Sequence, residues 1–360
     1  MGLFFYAIET FHDRQHFFLF SRLLLVIALV VGLYGIAQKF FGREILIPYI
    51  TYASGGKDIS KIDDFLLQAR VLSSYGDPNV LACQLLLFEG IALALLVGKG
   101  LSLGTRLGGV MILSTTILCV FFTGSRAGMV CLFLVPVVVL YWRTRWSLLI
   151  LPGLAALGFI FLPSLGELAL LSQVGELGPK MNLDPTDLRA QFPALAWKLL
   201  QAVPFGCGWG RTVELEVMGL NWHFMLIPAE VIWMGFNSFW LNLFSRLGIP
   251  GVITFGLFLM MVFRYIWRQA KRVRNRWVQA FLIGGLAGFT GQWVIWVVNN
   301  TYMLPGGGLN FWFMLGMLAA GSRAFAEPRY PICWVYPPPG AEPGRGAYMN
   351  YTPDDYLKSP

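Results

Sequence analysis

Arginine is the residue type in this sequence best suited to chemistry on an anionic substrate. Arg126 lies in the stretch Thr123-Gly-Ser-Arg-Ala-Gly128, whose small residues leave a guanidinium room to meet a ligand. A guanidinium binds phosphate oxygens through two parallel hydrogen bonds, and a charge within an apolar chain by default marks a functional site. The stretch therefore indicates either a phosphate-binding arginine or an arginine that reaches lipid headgroups.

Three further charged residues are candidates for ligand contact. Arg70 precedes Asp77-Pro78-Asn79, which has the pattern of a turn and a capped helix start. Glu89 falls inside an apolar segment, where it is either a relay or ligand-contacting acid or the partner of an arginine on a neighbouring helix. Arg246 lies about two turns into an apolar segment that begins at Asn237, and Gly248 and Pro250 are expected to loosen or kink that helix.

Composition shows which elements must position these residues. Of the 360 residues, 56% are hydrophobic and 13% are charged, against about 25% charged in soluble domains, which excludes an ordinary soluble enzyme and a disordered chain. Apolar runs of membrane-spanning length recur. We predict an all-α polytopic membrane protein with about eight transmembrane helices, roughly at 17–38, 79–97, 107–123, 127–142, 147–165, 238–262, 278–298 and 308–326.

The distribution of Lys and Arg predicts the orientation. The net charge of +8 does not indicate nucleic acid as a partner here, since the basic residues cluster in short loops, above all from Arg264 to Arg276. By the positive-inside rule this loop and both termini face the cytoplasm, in contact with membrane lipids, and the loops at 39–78 and 166–237 face outward. We predict one membrane domain over 1–327 and a Pro-rich, disordered cytoplasmic tail over 328–360. The five cysteines and three histidines form no metal-binding pattern, so no metal site is predicted.

The large outer loop, 166–237, carries a predicted amphipathic helix. Its apolar stripe recurs at helical spacing through Leu188, Phe192, Leu195, Leu199 and Val203. Arg189 lies at the start of this helix. The helix leads into the stretch from Pro204 to Gly210, where alternating glycines indicate either a close backbone approach to a ligand or a flexible loop.

The order of five motifs resembles the O-antigen ligase and O-antigen polymerase superfamily of bacterial membrane glycosyltransferases. The resemblance covers most of 20–325. It rests on the large outer loop and on the order of the motifs. The motifs are Tyr34-Gly-Ile-Ala-Gln38, Tyr75-Gly-Asp-Pro-Asn79, Thr123-Gly-Ser-Arg-Ala-Gly128, Arg189 leading to Pro204-Phe-Gly-Cys-Gly208, and Asn237 to Gly248-Ile-Pro-Gly251.

This resemblance implies a function at the outer face of the bacterial plasma membrane. The substrate would be a glycan on an undecaprenyl-diphosphate carrier, and the product a glycan moved to a lipid or glycan acceptor, without a metal or nucleotide cofactor. Arg126 and Arg189 would bind the diphosphate leaving group, where guanidiniums stabilise developing negative charge. A family histidine would activate the acceptor hydroxyl.

The sequence departs from the family pattern in two places. Asn237 occupies the position of the histidine, and an amide is not a base near pH 7, so Asn237 would orient the acceptor and His223 is a candidate substitute base. The chain also starts close to the first motif, whereas family members usually have more helices before it, so we expect a shortened member, a split half or a misassigned start. Two alternatives stay open: a transporter of an anionic solute or lipid whose pathway is lined by Glu89, Arg126 and Arg246, and a catalytically inactive family member.

Overall fold

The computed structural model describes residues 2–11, 13–41, 70–75, 77–143, 201, 204–206, 238–298 and 305–326. Within these ranges the chain forms eight helices and a single β-bridge, Val273 to Ala326. The helices are α1 Gly2–Thr10, α2 Arg14–Phe41, α3 Pro78–Val97, α4 Leu103–Phe122, α5 Arg126–Arg143, α6 Phe239–Ala270, α7 Arg276–Val298 and α8 Pro305–Phe325. The predicted helix at 147–165, the amphipathic loop helix and the tail lie outside the described residues.

Helices α2 to α8 occupy seven of the eight predicted membrane segments. Five of them, α2, α3, α4, α6 and α7, are long and apolar enough to cross a bilayer, and α5 is a shorter apolar helix. The prediction of an all-α polytopic membrane protein is therefore confirmed.

Helices α3 and α7 form the interior of the described bundle. In their apolar spans 83% and 78% of the residues are buried, against 17% for α6, which lies on the surface. Gly90 of α3 faces Gly284 and Gly288 of α7, and a Cβ atom at any of the three would meet the backbone of the opposite helix. Glycines at such a crossing allow two membrane helices to pack backbone against backbone.

The described helices end in two polar regions on opposite sides of the bundle. One, the Arg126 end, brings together the end of α2, the 70–77 segment and the turn between α4 and α5, as the bond from the Val71 N–H to the Phe122 carbonyl shows. The other, the basic end, joins the start of α2, the α3–α4 turn and the α6–α7 connection. There Arg14 donates to the Ala324 carbonyl and Arg106 to the Gly98 carbonyl.

Helix α6 consists of two arms that fold toward each other at Gly248. Gly248 has φ 62° and ψ −166°, a backbone conformation that favours glycine, and Pro250 follows it. The ring centroids of Phe239 and Phe255 are 5.6 Å apart, although a straight helix would separate two residues sixteen positions apart by about 24 Å. The kink predicted from Gly248 and Pro250 is thus confirmed, and it divides α6 into a first arm, 239–247, and a second arm, 249–270.

Helix α1 was not predicted from the sequence. It packs along α8, where the Phe4 carbonyl approaches Gly316 and the Phe4 and Trp312 rings lie 6.2 Å apart. Phe11 makes an edge contact with Phe313 at 5.5 Å. A nine-residue helix is too short to span a bilayer, so a search for long apolar runs passes over it.

Candidate functional site

A single glutamine holds the 70–75 segment against the end of α2. The Gln38 Oε1 atom accepts hydrogen bonds from the N–H groups of Leu72 and Ser73 at 3.3 and 2.7 Å, and its Nε2 donates to the Ser73 carbonyl at 3.2 Å. The Ser73 hydroxyl donates to the Val31 carbonyl at 2.7 Å, and Ser73 has φ 49°. The buried amide of Gln38 therefore joins the first family-like motif to the residues just before the second.

Replacing Gln38 by leucine is expected to lower the free energy of unfolding by about 3 kcal/mol or more, since two buried N–H groups and one carbonyl lose their partner at about 1–3 kcal/mol each. Thermal unfolding of the purified protein measures the change. Gln15→Leu, an exposed position on the same helix, provides the matched control. Equal melting temperatures for the two variants would show that Gln38 does not hold the segment.

Arg70 docks on the turn between α4 and α5, residues 123–126, named here the Arg126 turn. Its Nε donates to the Thr123 carbonyl at 2.8 Å and its Nη2 lies 3.5 Å from Asn79 Oδ1. Gly124 has φ 62°, and a Cβ atom there would lie 3.4 Å from the Arg70 Nε. The second and third family-like motifs therefore meet through the Arg70 side chain.

Arg126 is the first residue of α5 and its side chain is exposed. The turn beneath it is fixed by hydroxyl groups: Thr123 Oγ1 accepts from the Ser125 N–H and Ser125 Oγ accepts from the Gly128 N–H, both at 3.2 Å. The start of a helix carries a partial positive charge and attracts anions. The Arg126 guanidinium and the start of α5, with Arg70 bound to the same turn, form a cationic surface suited to a phosphate or diphosphate group.

Neither ionisable side chain of the Tyr75–Asn79 motif is arranged as a base. Asp77 caps α3, and its Oδ1 accepts from the N–H groups of Asn79 and Val80 at 2.7 and 3.2 Å, which confirms the predicted helix start. Desolvation raises the pKa of the Tyr75 phenol to about 12, although a hydrogen bond with Asn310 opposes part of this rise. Tyr75 therefore stays protonated near neutral pH.

Within the large loop, the stretch Pro204-Phe205-Gly206 packs into the kink of α6. The Ile249 N–H donates to the Pro204 carbonyl at 3.3 Å. Gly206 has φ 85°, and a Cβ atom there would clash with the backbone of Arg246 and Gly248. The absence of a side chain at Gly206 thus allows the loop backbone to lie close to the backbone of α6. Arg246 is half-buried at the end of the first arm.

The first arm of α6 begins at the Arg126 end of the bundle. Ser238 caps it by accepting from the Leu241 N–H, and the Ser238 hydroxyl donates to the Trp296 carbonyl near the end of α7 at 3.2 Å. The Cys131 thiol of α5 donates to the Gly291 carbonyl of α7 at 3.3 Å. Both α5 and the first arm are therefore fixed to the last two turns of α7.

Three of the predicted site residues, Arg189, His223 and Asn237, lie outside the described residues. Their roles and their distances from Arg126 stay predictions. Asn237, which stands where the family has its histidine, directly precedes Ser238 in the chain, and Ser238 is the first described residue after it.

Glu89 lies in the middle of α3 and is 1% exposed. Among the described residues neither carboxyl oxygen has a hydrogen-bond partner, and no described arginine forms a salt bridge with it. The expected pairing with an arginine of a neighbouring helix is therefore not found within the described part of the chain. Glu89 is also separated by about three helical turns from Asp77 at the start of α3, so it does not belong to the Arg126 turn.

Replacing Glu89 by leucine is expected to raise the free energy of unfolding by about 1–3 kcal/mol, because a buried polar group without a partner is destabilising. The melting temperatures of Glu89→Leu and of the near-isosteric control Glu89→Gln test this. A leucine variant that keeps its fold but loses activity would instead show that the carboxyl group has a function.

These features define a multi-pass α-helical membrane protein with an exposed arginine on a rigid turn at one end of its bundle. Residues 110–256 match the family model described as O-antigen ligase. This match covers less than half of the chain, and it supports the resemblance to the O-antigen ligase superfamily and a role in glycan ligation at the membrane. The matched range contains Arg126, Arg246 and the kink at Gly248. Comparisons with curated proteins and with solved structures found no match.

Sequence reasoning missed the contacts that assemble the site. Gln38 and Arg70 each bind a backbone group far away in the chain, and neither contact follows from a local pattern. The sequence feature that could have indicated these contacts is the location of the two polar side chains. Both lie beside the ends of apolar helices, within or next to family-like motifs.

Proposed function

We propose that this protein transfers or polymerises a surface glycan from an undecaprenyl-diphosphate carrier to a lipid or glycan acceptor. The Arg126 end would face the outer side of the plasma membrane, opposite the basic end, in accord with the positive-inside rule. The observation that carries the proposal is the docking of Arg70 on the turn that presents the exposed Arg126.

The proposed reaction breaks the bond between the anomeric carbon of the glycan and the diphosphate oxygen. The acceptor oxygen forms the new bond, its proton passes to a base, and the carrier diphosphate leaves with increased negative charge. Arg126 and the start of α5 stabilise that charge, since preorganised donors act where charge develops. Arg70 holds the turn in place, and Arg189 is proposed from the resemblance as a second diphosphate ligand.

A transfer assay with the purified chain in lipid nanodiscs tests this function. The donor is a short glycan on a polyprenyl diphosphate, the acceptor is either the same lipid-linked glycan or a lipid A–core, and release of polyprenyl diphosphate is measured with the glycan product. Release that depends on an acceptor supports the proposal. Movement of intact donor across a vesicle membrane without cleavage would favour a transporter instead.

Two substitutions separate the candidates for the proton acceptor. If Asn237 lies at the base position and only orients the acceptor, Asn237→His is expected to raise transfer by about 10²–10⁴-fold, the usual contribution of a general base. If His223 is the base, His223→Ala is expected to lower transfer by a similar factor. Initial rates of product formation measure both effects. No change in either variant would place the proton acceptor elsewhere.

A further inference from the structure

A cleft at the basic end is independent of the proposed glycan site. It has a volume of about 240 Å³ and lies between α3, α5 and α7. Its walls combine buried apolar side chains with two exposed cations at the mouth, Lys99 after α3 and Arg276 at the start of α7. The apolar walls are Ala94, Val139, Ala280 and Ile283, all buried. The cleft is therefore amphiphilic.

Within the described part of the chain, carboxylates do not balance the positive charge at the mouth. There, no acidic residue lines the cleft, and neither Lys99 nor Arg276 forms a salt bridge. Arg276 also lies at the positively charged start of α7. Its Nη1 donates to Gln279 Oε1 at 3.2 Å, and Gln279 Nε2 donates to the Ala270 carbonyl at 3.0 Å. The cation is thus held at the mouth of the cleft.

Aromatic residues border the cleft near the ends of α5 and α6 at the basic end. Trp142 lines it and packs edge-on against Trp267, with ring centroids 4.7 Å apart. Lys271 lies over both rings, at 5.9 and 5.6 Å. Tryptophan is enriched where headgroups meet acyl chains, and basic pockets between transmembrane helices bind anionic headgroups.

We propose that this cleft binds one anionic phospholipid. Lys99 and Arg276 bind the headgroup phosphate, and the apolar walls between α3, α5 and α7 take up the adjoining glycerol and the first part of an acyl chain. Anionic phospholipid is favoured over free phosphate because the buried apolar walls behind the two cations can be filled by an acyl chain, which a soluble anion lacks.

Lipid titration of the detergent-purified full chain tests the proposal, with bound lipids counted by native mass spectrometry and unfolding followed by heating. Phosphatidylglycerol is expected to remain bound as a single molecule and to raise the melting temperature, whereas phosphatidylcholine is not. In Lys99→Gln/Arg276→Gln the affinity for phosphatidylglycerol is expected to fall about thirtyfold, since each cation near an anionic headgroup contributes about five- to sixfold.

The matched control removes two charges from the same end outside the cleft. Arg264→Gln/Arg268→Gln changes two exposed arginines of α6 and is expected to keep the lipid affinity. Equal losses in the two double variants would overturn the proposal in favour of general electrostatic attraction. Stabilisation by millimolar inorganic phosphate equal to that by phosphatidylglycerol would also overturn it, because the headgroup phosphate alone would then account for binding.

Discussion

Replacing Arg126 by lysine is expected to lower glycan transfer by about 10²–10³-fold while leaving the protein folded. Loss of one preorganised donor to a developing negative charge has an effect of this size, and an ammonium group does not reproduce the planar fork of a guanidinium. The side chain is exposed at the start of α5, so the substitution leaves the buried hydroxyl network of the turn intact. Initial transfer rates at saturating donor measure the loss.

Arg323→Lys is the matched control for this effect. Arg323 is exposed in the last turn of α8 at the basic end, and the same substitution there is expected to leave transfer unchanged. Comparable rates for Arg126→Lys and Arg323→Lys would contradict the assignment of Arg126 to the diphosphate. A lowered melting temperature in Arg126→Lys alone would point instead to a structural role for the guanidinium.

Introducing valine at Gly284 is expected to destabilise the protein by about 3 kcal/mol or more, or to prevent its assembly in the membrane. A Cβ atom at this position would meet the backbone of Gly90 and Ile91, and backbone cannot move aside as a side chain can. Overpacking of a close-packed interior costs about 1–3 kcal/mol even where side chains can adjust. Yield of folded protein and its melting temperature measure the effect.

Gly256→Val tests whether the loss of stability expected for Gly284→Val comes from the position of the glycine or from the introduced valine itself. Gly256 lies within the second arm of α6, and a Cβ atom there would meet nothing within 4 Å. Removing a helical glycine is then expected to be neutral or to stabilise by about 0.5–1 kcal/mol. If both valine variants unfold at the wild-type temperature, the backbone contact between α3 and α7 does not contribute to stability.

Local patterns were sufficient to predict most of the helices. The apolar runs gave α2 to α8 because membrane helices must be long and nearly uncharged. The start of α3 followed from Asp77 and Pro78, and the kink of α6 followed from Gly248 and Pro250. These features depend on residues adjacent in the chain, and their physical causes act over a few residues.

The contacts between motifs could not be predicted in this way. Arg70 and Thr123 lie 53 positions apart, and Gln38 and Ser73 lie 35 apart. Which polar side chain meets which backbone carbonyl depends on how the helices cross. No periodic pattern in a single sequence indicates such a pairing. In the folded chain Arg70 links the second family-like motif to the third, and Gln38 links the first to the residues just before the second.

The docking of Gly206 at the kink of α6 also sets the reach of the chain that follows. Gly206 contacts Gly248 at one end of the first arm, and Ser238 begins its other end, so the connection 207–237 leaves and returns within about 14 Å. His223 and Asn237, the two candidates for the proton acceptor, belong to the connection between these two attachment points, so chain connectivity alone ties both to one arm of α6.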